Sequence, residues 1–327
     1  MTICTLEELH AATAIVRRYF PATPAYSWPL LNEVIGTEVW VKHENATPTG
    51  AFKVRGGLLY ADTLKRERPD VRGIVSATRG NHGISLSYAG RAYGIPVVIC
   101  VPETNALEKN AAMRSLGAEV VIGGEDFDAA RARSAEIAVE RGYEMVPPFH
   151  RDLVRGVATY AVELFEQAGP LDRVYVPIGM GSGCSGLITA RDLLGLNTEI
   201  IGVGVEGAPA QALSFAAGEV RTTDAVRTFV DGVATRSPDA ESARIILEGA
   251  ARVVVVVVSD DEAADAIRLL WSTTHHLAEP AGALALAAMY KERESNADLR
   301  IAFILCGSNM DTAMAAEVLA GKTPGFC

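Results

Sequence analysis

A chain of 327 residues exceeds the usual size of one domain, so two lobes sharing a single polypeptide are expected. Hydrophobic residues supply 49% and charged residues 21%, the balance of a folded globular protein, which excludes disorder and a coiled coil. A net charge of −10 provides no basic stripe to neutralise phosphates, which excludes nucleic acid as a partner.

The N-terminus, Met1-Thr2-Ile3-Cys4-Thr5-Leu6-Glu7-Glu8, carries acid where a secretory leader carries base, and no apolar stretch follows before Arg17 and Arg18. Five cysteines, Cys4, Cys100, Cys184, Cys306 and Cys327, are odd in number and lack CxxC spacing, so neither a disulfide framework nor a zinc site is expected. The most apolar run, Val253 to Val258, is far too short to span a bilayer. A cytoplasmic location without membrane contact follows from these readings.

The segment Glu44-Asn45-Ala46-Thr47-Pro48-Thr49-Gly50-Ala51-Phe52-Lys53-Val54-Arg55-Gly56-Gly57 places one lysine between turn residues and a glycine-flanked helix start. Buried beside Phe52 at a helix N-terminus, such an amine loses its preference for the charged form and becomes a nucleophile for carbonyls. On the surface the same residue is an ordinary solvated cation.

Alternating strand and helix patterns follow: Gly73 to Ser76, Ser85 to Tyr93, Val97 to Val101, Leu107 to Leu116, and Val120 to Ile122. Strands fed through crossover helices lie parallel, and continuous apolar runs predict burial on both faces. Ser76-Ala77-Thr78-Arg79-Gly80-Asn81-His82-Gly83 follows the first of these strands and opens a helix, so its amides and hydroxyls can hold a carboxylate. A helix cap at Asn81 and a surface role for His82 are the alternatives. Met145-Val146-Pro147-Pro148-Phe149-His150 reads as a hinge or a cleft-lining loop.

A second series of strands is predicted at Arg173 to Val176, Ile200 to Val205, Val253 to Val258 and Ile301 to Leu305, with the valine run expected in the core. Two α/β sheets result, one lobe formed by 1–70 and 151–327 and a smaller one by 71–150. Val174 to Gly186 is a strand, a glycine-rich turn at 179–183 and a helix, an arrangement that binds phosphate, although a dinucleotide turn or a tight structural turn also fits. Glu279-Pro280-Ala281-Gly282 puts one carboxylate at a helix start, where attraction to the helix dipole is an adequate explanation. Cys306, at the end of the last strand, fits a small buried hydrophobe.

In their order and spacing, the lysine segment, the asparagine loop, the glycine loop and the terminal strand resemble the threonine/serine dehydratase branch of the fold-type II pyridoxal-phosphate enzymes. The resemblance runs from about Pro24 to Asp311, and Pro48-Thr49-Gly50-Ala51-Phe52-Lys53-Val54-Arg55-Gly56 is its most specific part. It implies an α/β protein of two lobes, each an open, mostly parallel twisted sheet flanked by helices. The implied cofactor is pyridoxal 5'-phosphate, the implied partner a small amino-acid substrate, and the implied assembly a homodimer.

By that resemblance Lys53 would take up the cofactor aldehyde, Phe52 would pack beside its ring and Asn81 would meet its phenol oxygen. Gly179, Met180, Gly181, Ser182 and Gly183 align with the family's phosphate cup, usually four glycines and a leucine. Cys306 falls at the pyridine-nitrogen position, usually serine or cysteine, and Thr78, Arg79, Gly80, Asn81 and His82 form the substrate loop. A thiol does not force the pyridine nitrogen to be protonated, so the ring is a weaker electron sink and loss of a β-leaving group is favoured over transamination. The implied reaction removes water from a β-hydroxy-α-amino acid to give a 2-oxo acid and ammonia. Threonine or serine is the default substrate, with hydroxyaspartate, phenylserine or a hydroxylated diamino acid also open. A racemase, a β-replacement synthase and a non-catalytic binding module are the alternative readings.

The chain departs from the pattern at several positions. Arg79 stands where relatives carry a small residue, and its guanidinium suits a second acidic group on the substrate better than it suits a base for racemisation. Ala51 replaces a serine and Val157 a glutamine. Six positions after Glu206 stands Ala212, and Ala210 offers only a carbonyl, so no metal is expected. The chain stops soon after Asn309, which predicts an enzyme without a C-terminal regulatory domain.

Overall fold

The computed structural model describes residues 3–249 and 252–326, so Cys327 and the first two residues of the N-terminal reading lie outside the described residues. The described strands are β1 (Ala25–Ser27), β2 (Val39–His43), β3 (Ile74–Ala77), β4 (Val97–Val101), β5 (Glu119–Ile122), β6 (Glu144–Met145), β7 (Arg173–Pro177), β8 (Glu199–Val205), β9 (Val253–Val258) and β10 (Ile301–Leu305). The helices of the first half are α1 (Leu6–Val16), α2 (Pro29–Ile35), α3 (Lys53–Glu67), α4 (Asn81–Tyr93), α5 (Leu107–Ser115), α6 (Phe127–Arg141) and α7 (Arg151–Ala168). Those of the second half are α8 (Ser182–Leu193), α9 (Ala210–Ala217), α10 (Ala240–Glu248), α11 (Asp260–Thr274), α12 (Pro280–Lys291) and α13 (Thr312–Leu319).

Two sheets result. One runs β1-β2-β10-β7-β8-β9, the other β5-β4-β3-β6. Among the described strand pairs only β1–β2 is antiparallel. The central strands β4, β8 and β10 are buried almost throughout, as strands covered by helices on both faces must be. The valine run differs from expectation. As β9 it is the edge of the larger sheet, paired among the described residues only with β8, and of its six valines only Val253 and Val258 are buried. β-Branched side chains favour the extended backbone wherever the strand lies, so composition identified the strand and not its place in the sheet. The proline-broken stretch at 145–150 contains the end of a short strand, β6, which pairs with β3 before Pro147 and Pro148 turn the chain away.

Helix α3 carries the lysine of interest at its first position, and its seating depends on Arg55, two residues further along. The Arg55 side chain is fully buried. Its Nε donates to Glu44 Oε2 at 2.7 Å, its Nη2 to Glu163 Oε2 at 2.7 Å, and its Nη1 to Thr159 Oγ1 at 3.0 Å. Lys42 Nζ, also buried, donates to the same Glu163 oxygen at 3.0 Å and to the Thr23 carbonyl at 2.7 Å. Two buried cations therefore face two buried carboxylates, with Arg17 reaching Glu163 from the surface. The cluster joins β2, α3 and α7 through charges that are tolerable in the interior only while every member is present.

Glycine permits the close approach of α3 to α7. A Cβ on Gly56 would lie 2.6 Å from the Leu153 carbonyl oxygen, and one on Gly156 would lie 2.3 Å from that of Arg55. Burial works against the Glu163 charge, but Arg55 and Lys42 outweigh it and hold the carboxyl at about 2. Its stabilisation is therefore full above the ordinary value of 4.5 and lost as pH falls toward about 2. Removing Arg55 leaves both carboxylates short of their main partner, a change that costs about 3–5 kcal/mol. Arg55→Ala should accordingly lower the stability measured by denaturant unfolding at neutral pH by that amount, with a smaller deficit near pH 2 than near pH 7. An unchanged stability would contradict this role.

Candidate active site

The lysine segment is held against the end of β10. Phe52 N donates to the Cys306 carbonyl at 2.9 Å, Ser308 N to the Gly50 carbonyl at 2.9 Å, and Asn309 Nδ2 to the Thr49 carbonyl at 2.8 Å. Within the segment the Thr47 hydroxyl accepts from Ala51 N at 3.0 Å and donates to the Ala51 carbonyl at 2.9 Å. Phe52 and Lys53 are thus fixed on a loop that is itself doubly tied. The Phe52 ring meets Tyr160 edge-on at 6.1 Å, and the Tyr160 hydroxyl donates to the Gly183 carbonyl at 2.8 Å.

Lys53 Nζ lies 4.9 Å from the centroid of the Phe52 ring and donates to Ser182 Oγ at 2.8 Å. Burial pulls its pKa down to about 8, against the opposing pull of Cys306 and Glu279. A substantial share of the amine is therefore neutral near physiological pH, as attack on a carbonyl requires.

Ser182 opens α8 directly after the glycine loop. Gly181, with φ of 93°, occupies a backbone region that L side chains rarely adopt, and a Cβ there would fall 1.7 Å from Ser242 Oγ. The helix has no side-chain cap, so its first-turn amides are open to an anion. Gly179 packs against the Gly232 backbone and its carbonyl accepts from Gln211 Nε2 at 2.9 Å.

The asparagine loop follows β3 and leads into α4. The Thr78 hydroxyl accepts from Gly80 N at 3.1 Å and so shapes the turn. Gly80, and not Asn81, holds the cap position of α4. The Asn81 side chain instead donates through Nδ2 to Glu279 Oε1 at 2.6 Å and accepts through Oδ1 from Asn309 Nδ2 at 2.8 Å. His82 Nε2 is buried without a partner among the described residues, and burial, with Lys53 adding to it, lowers the ring to about 3 and keeps it neutral. Lys53, His82, Pro148, Leu153, Val157 and Ser182 line one narrow cleft, which gives the proline stretch its cleft-lining part.

Phe52, Lys53, Asn81, His82, Gly181, Ser182, Gly183 and Cys306 therefore converge from four different segments. Arg79 and Met180, both half-exposed, are not joined to them: Arg79 makes no hydrogen bond or ion pair among the described residues. The Cys306 thiol is buried, and burial raises its pKa well above the ordinary value, so it is a neutral group.

Glu279 needs more than attraction to its helix. It holds the N-cap position of α12 but its side chain makes no capping bond, and the wholly buried carboxylate turns toward Asn81 and toward Lys109 Nζ, 3.7 Å from Oε2. Burial raises this carboxyl to about 7. Lys109 Nζ donates in turn to Asp231 Oδ2 at 2.5 Å. No local sequence signal separates this glutamate from an ordinary helix-start acid.

A half-buried amine of lowered pKa facing an anion-binding helix end, set between two α/β sheets, defines an enzyme that holds a phosphorylated carbonyl cofactor. The donor set fits one: Lys53 suits an aldehyde, the head of α8 suits a phosphate, and the unpartnered Ser242 Oγ borders the same loop. The chain belongs to the pyridoxal-phosphate-dependent enzyme family, whose sequence profile matches residues 16–307. Its cofactor is pyridoxal phosphate. Similar proteins include the L-threonine ammonia-lyase of Thermotoga maritima, 30% identical over 96% of this chain and 78% of that protein. The L-threo-3-hydroxyaspartate ammonia-lyase of Saccharomyces cerevisiae is 28% identical over 99% of both chains. Among solved structures, the processed form of threonine deaminase isoform 2 from Solanum lycopersicum is 28% identical with a TM-score of 0.87, covering 97% of this chain and 90% of that one.

Proposed function

We propose that the protein is an ammonia-lyase that removes water from a β-hydroxy-α-amino acid and releases a 2-oxo acid and ammonia. The observation that carries this reading is the half-buried Lys53 amine, set 2.8 Å from Ser182 Oγ at the head of α8. Bound pyridoxal phosphate supplies the electron sink for charge developing at the substrate α-carbon.

Lys53 and the α8 amides would hold the two ends of the cofactor, with Phe52 beside its ring and Asn81 as partner to its phenol oxygen. With cofactor and substrate bound, the free Lys53 amine would take up the substrate's α-proton. Ser182 Oγ, in hydrogen-bond reach of that amine, would relay this proton, donating its own to the departing β-hydroxyl as it takes one from the Lys53 ammonium, so that water leaves and Lys53 returns to the neutral form. Thr78, Gly80, Asn81 and His82 hold the α-carboxylate at the start of α4. The neutral Cys306 thiol at the end of β10 would face the pyridine nitrogen without a full negative charge, which would favour elimination over transamination.

Arg79 extends the reading to specificity. A half-buried guanidinium without a partner among the described residues, beside the carboxylate-binding turn, suits a substrate carrying a second acid, as in hydroxyaspartate. A panel of β-hydroxy amino acids should yield 2-oxo acid and ammonia in equal amounts. In Arg79→Ala, kcat/KM for hydroxyaspartate should fall about tenfold or more relative to threonine. An unchanged ratio would remove Arg79 from specificity, and failure of the whole panel would remove the lyase reading.

The assembly is proposed as a homodimer. Tyr26, Leu30 and Val34 are exposed apolar residues at the β1 edge and along one face of α2, a surface suited to a second copy. Light scattering should give about twice the chain mass of 34.7 kDa, and a monomer mass would contradict it. A cytoplasmic location is proposed on the four described cysteines, all free and buried.

A further inference from the structure

Glu279 stands where the two sheets' elements meet. Its Oε1 accepts from Asn81 of α4 at 2.6 Å, and its Oε2 lies 3.7 Å from Lys109 Nζ of α5. Both α4 and α5 belong to the connections of the four-stranded sheet, whereas Glu279 leads into α12, which packs against β7 and β10 of the six-stranded sheet. The carboxylate is wholly buried, and Oε2 has no hydrogen-bond partner among the described residues. Oε1 occupies the space that a side chain at Gly307, just past β10, would fill, since a Cβ there would fall 2.0 Å from it.

Asn81 is gripped on both sides. Its Oδ1 accepts from Asn309, which fixes the amide's orientation, and one Nδ2 proton goes to Glu279. The amide nitrogen carries two protons, so one remains to donate elsewhere. That remaining proton can be aimed at a cofactor oxygen only while Glu279 and Asn309 hold the other two sites.

We propose that Glu279 is a positioning residue that brackets Asn81 and Lys109 together, docking the 78–83 loop on the six-stranded sheet and aiming the free Asn81 proton at the cofactor. The inference rests on Asn81 facing the cofactor and is independent of which substrate is used. Burial raises the carboxyl to about 7, and either protonation state leaves an oxygen able to accept from Asn81. The contact therefore survives across neutral pH.

Hydrogen–deuterium exchange on the full-length protein, with and without cofactor, reads the loop directly. Glu279→Ala should speed exchange of the amides at 78–83 about tenfold, the effect of losing a hydrogen bond to a charged acceptor, and weaken cofactor binding by a similar factor. Amides of β8 should keep their protection. Glu279→Gln, which retains an acceptor for Asn81, should restore both readouts most of the way. In an Asn81→Ala background, Glu279→Ala should add little further loss of cofactor affinity. Should Glu279→Ala fail to fold, Glu279→Asp, whose carboxylate stops one methylene short of Asn81, takes its place. Wild-type exchange and affinity, a loss spread evenly over the chain, or a glutamine variant as impaired as the alanine one would each overturn the assignment. Exchange measured without cofactor separates this outcome from failure of the proposed reaction.

Discussion

Arg55 lies between Glu44 and Glu163 with its whole side chain buried, two residues along the helix from Lys53. This contact fixes where the reactive amine can be. Helix α3 cannot slide or rotate without separating charges that the interior would not tolerate alone. The glycine contact between α3 and α7 brings the backbones close enough for Glu163 to reach that guanidinium, and the ties from Thr49, Gly50 and Phe52 to the end of β10 set the loop before it. Lys53 is thus positioned by charge on one side and by backbone pairing on the other.

Burial then determines the chemistry available. It lowers Lys53 to about 8 and His82 to about 3, and it raises Glu279 to about 7 and the Cys306 thiol further still. Each shift moves its group toward the neutral form. A neutral amine attacks carbonyls and removes protons, and a neutral thiol brings no full negative charge to the end of β10. The main local charge reserved for a ligand comes from the amides at the head of α8, which suits a phosphate. The site is therefore an apolar enclosure with one anion-binding end, and Arg79 on the neighbouring loop is the cation proposed to distinguish substrates.

Much of this was legible in the sequence, for physical reasons that differ by element. Parallel strands buried on both faces leave continuous apolar runs, so β3, β4, β8 and β10 were readable. Glycines mark places where a side chain cannot fit, so the loop at 179–183 was readable too. The same logic failed for β9, because six valines look alike in an edge strand and in a central one. It also could not find the long-range polar partners. Arg55 and Glu163 are 108 positions apart, and Asn81 and Glu279 are 198 apart. A single sequence carries no mark that such residues meet, and only the crossing of strands and helices brings them into contact.

The central claim is that Lys53, among the chain's lysines, is the residue held in place to bind the cofactor aldehyde. Borohydride reduction of the cofactor-loaded protein, followed by peptide mass spectrometry, tests it most directly by converting the linkage into a stable bond. One modified site is expected, at Lys53, with the modification absent in Lys53→Ala. Attachment at Lys42 or Lys109, or a loaded protein that reduction leaves unmodified, would contradict it.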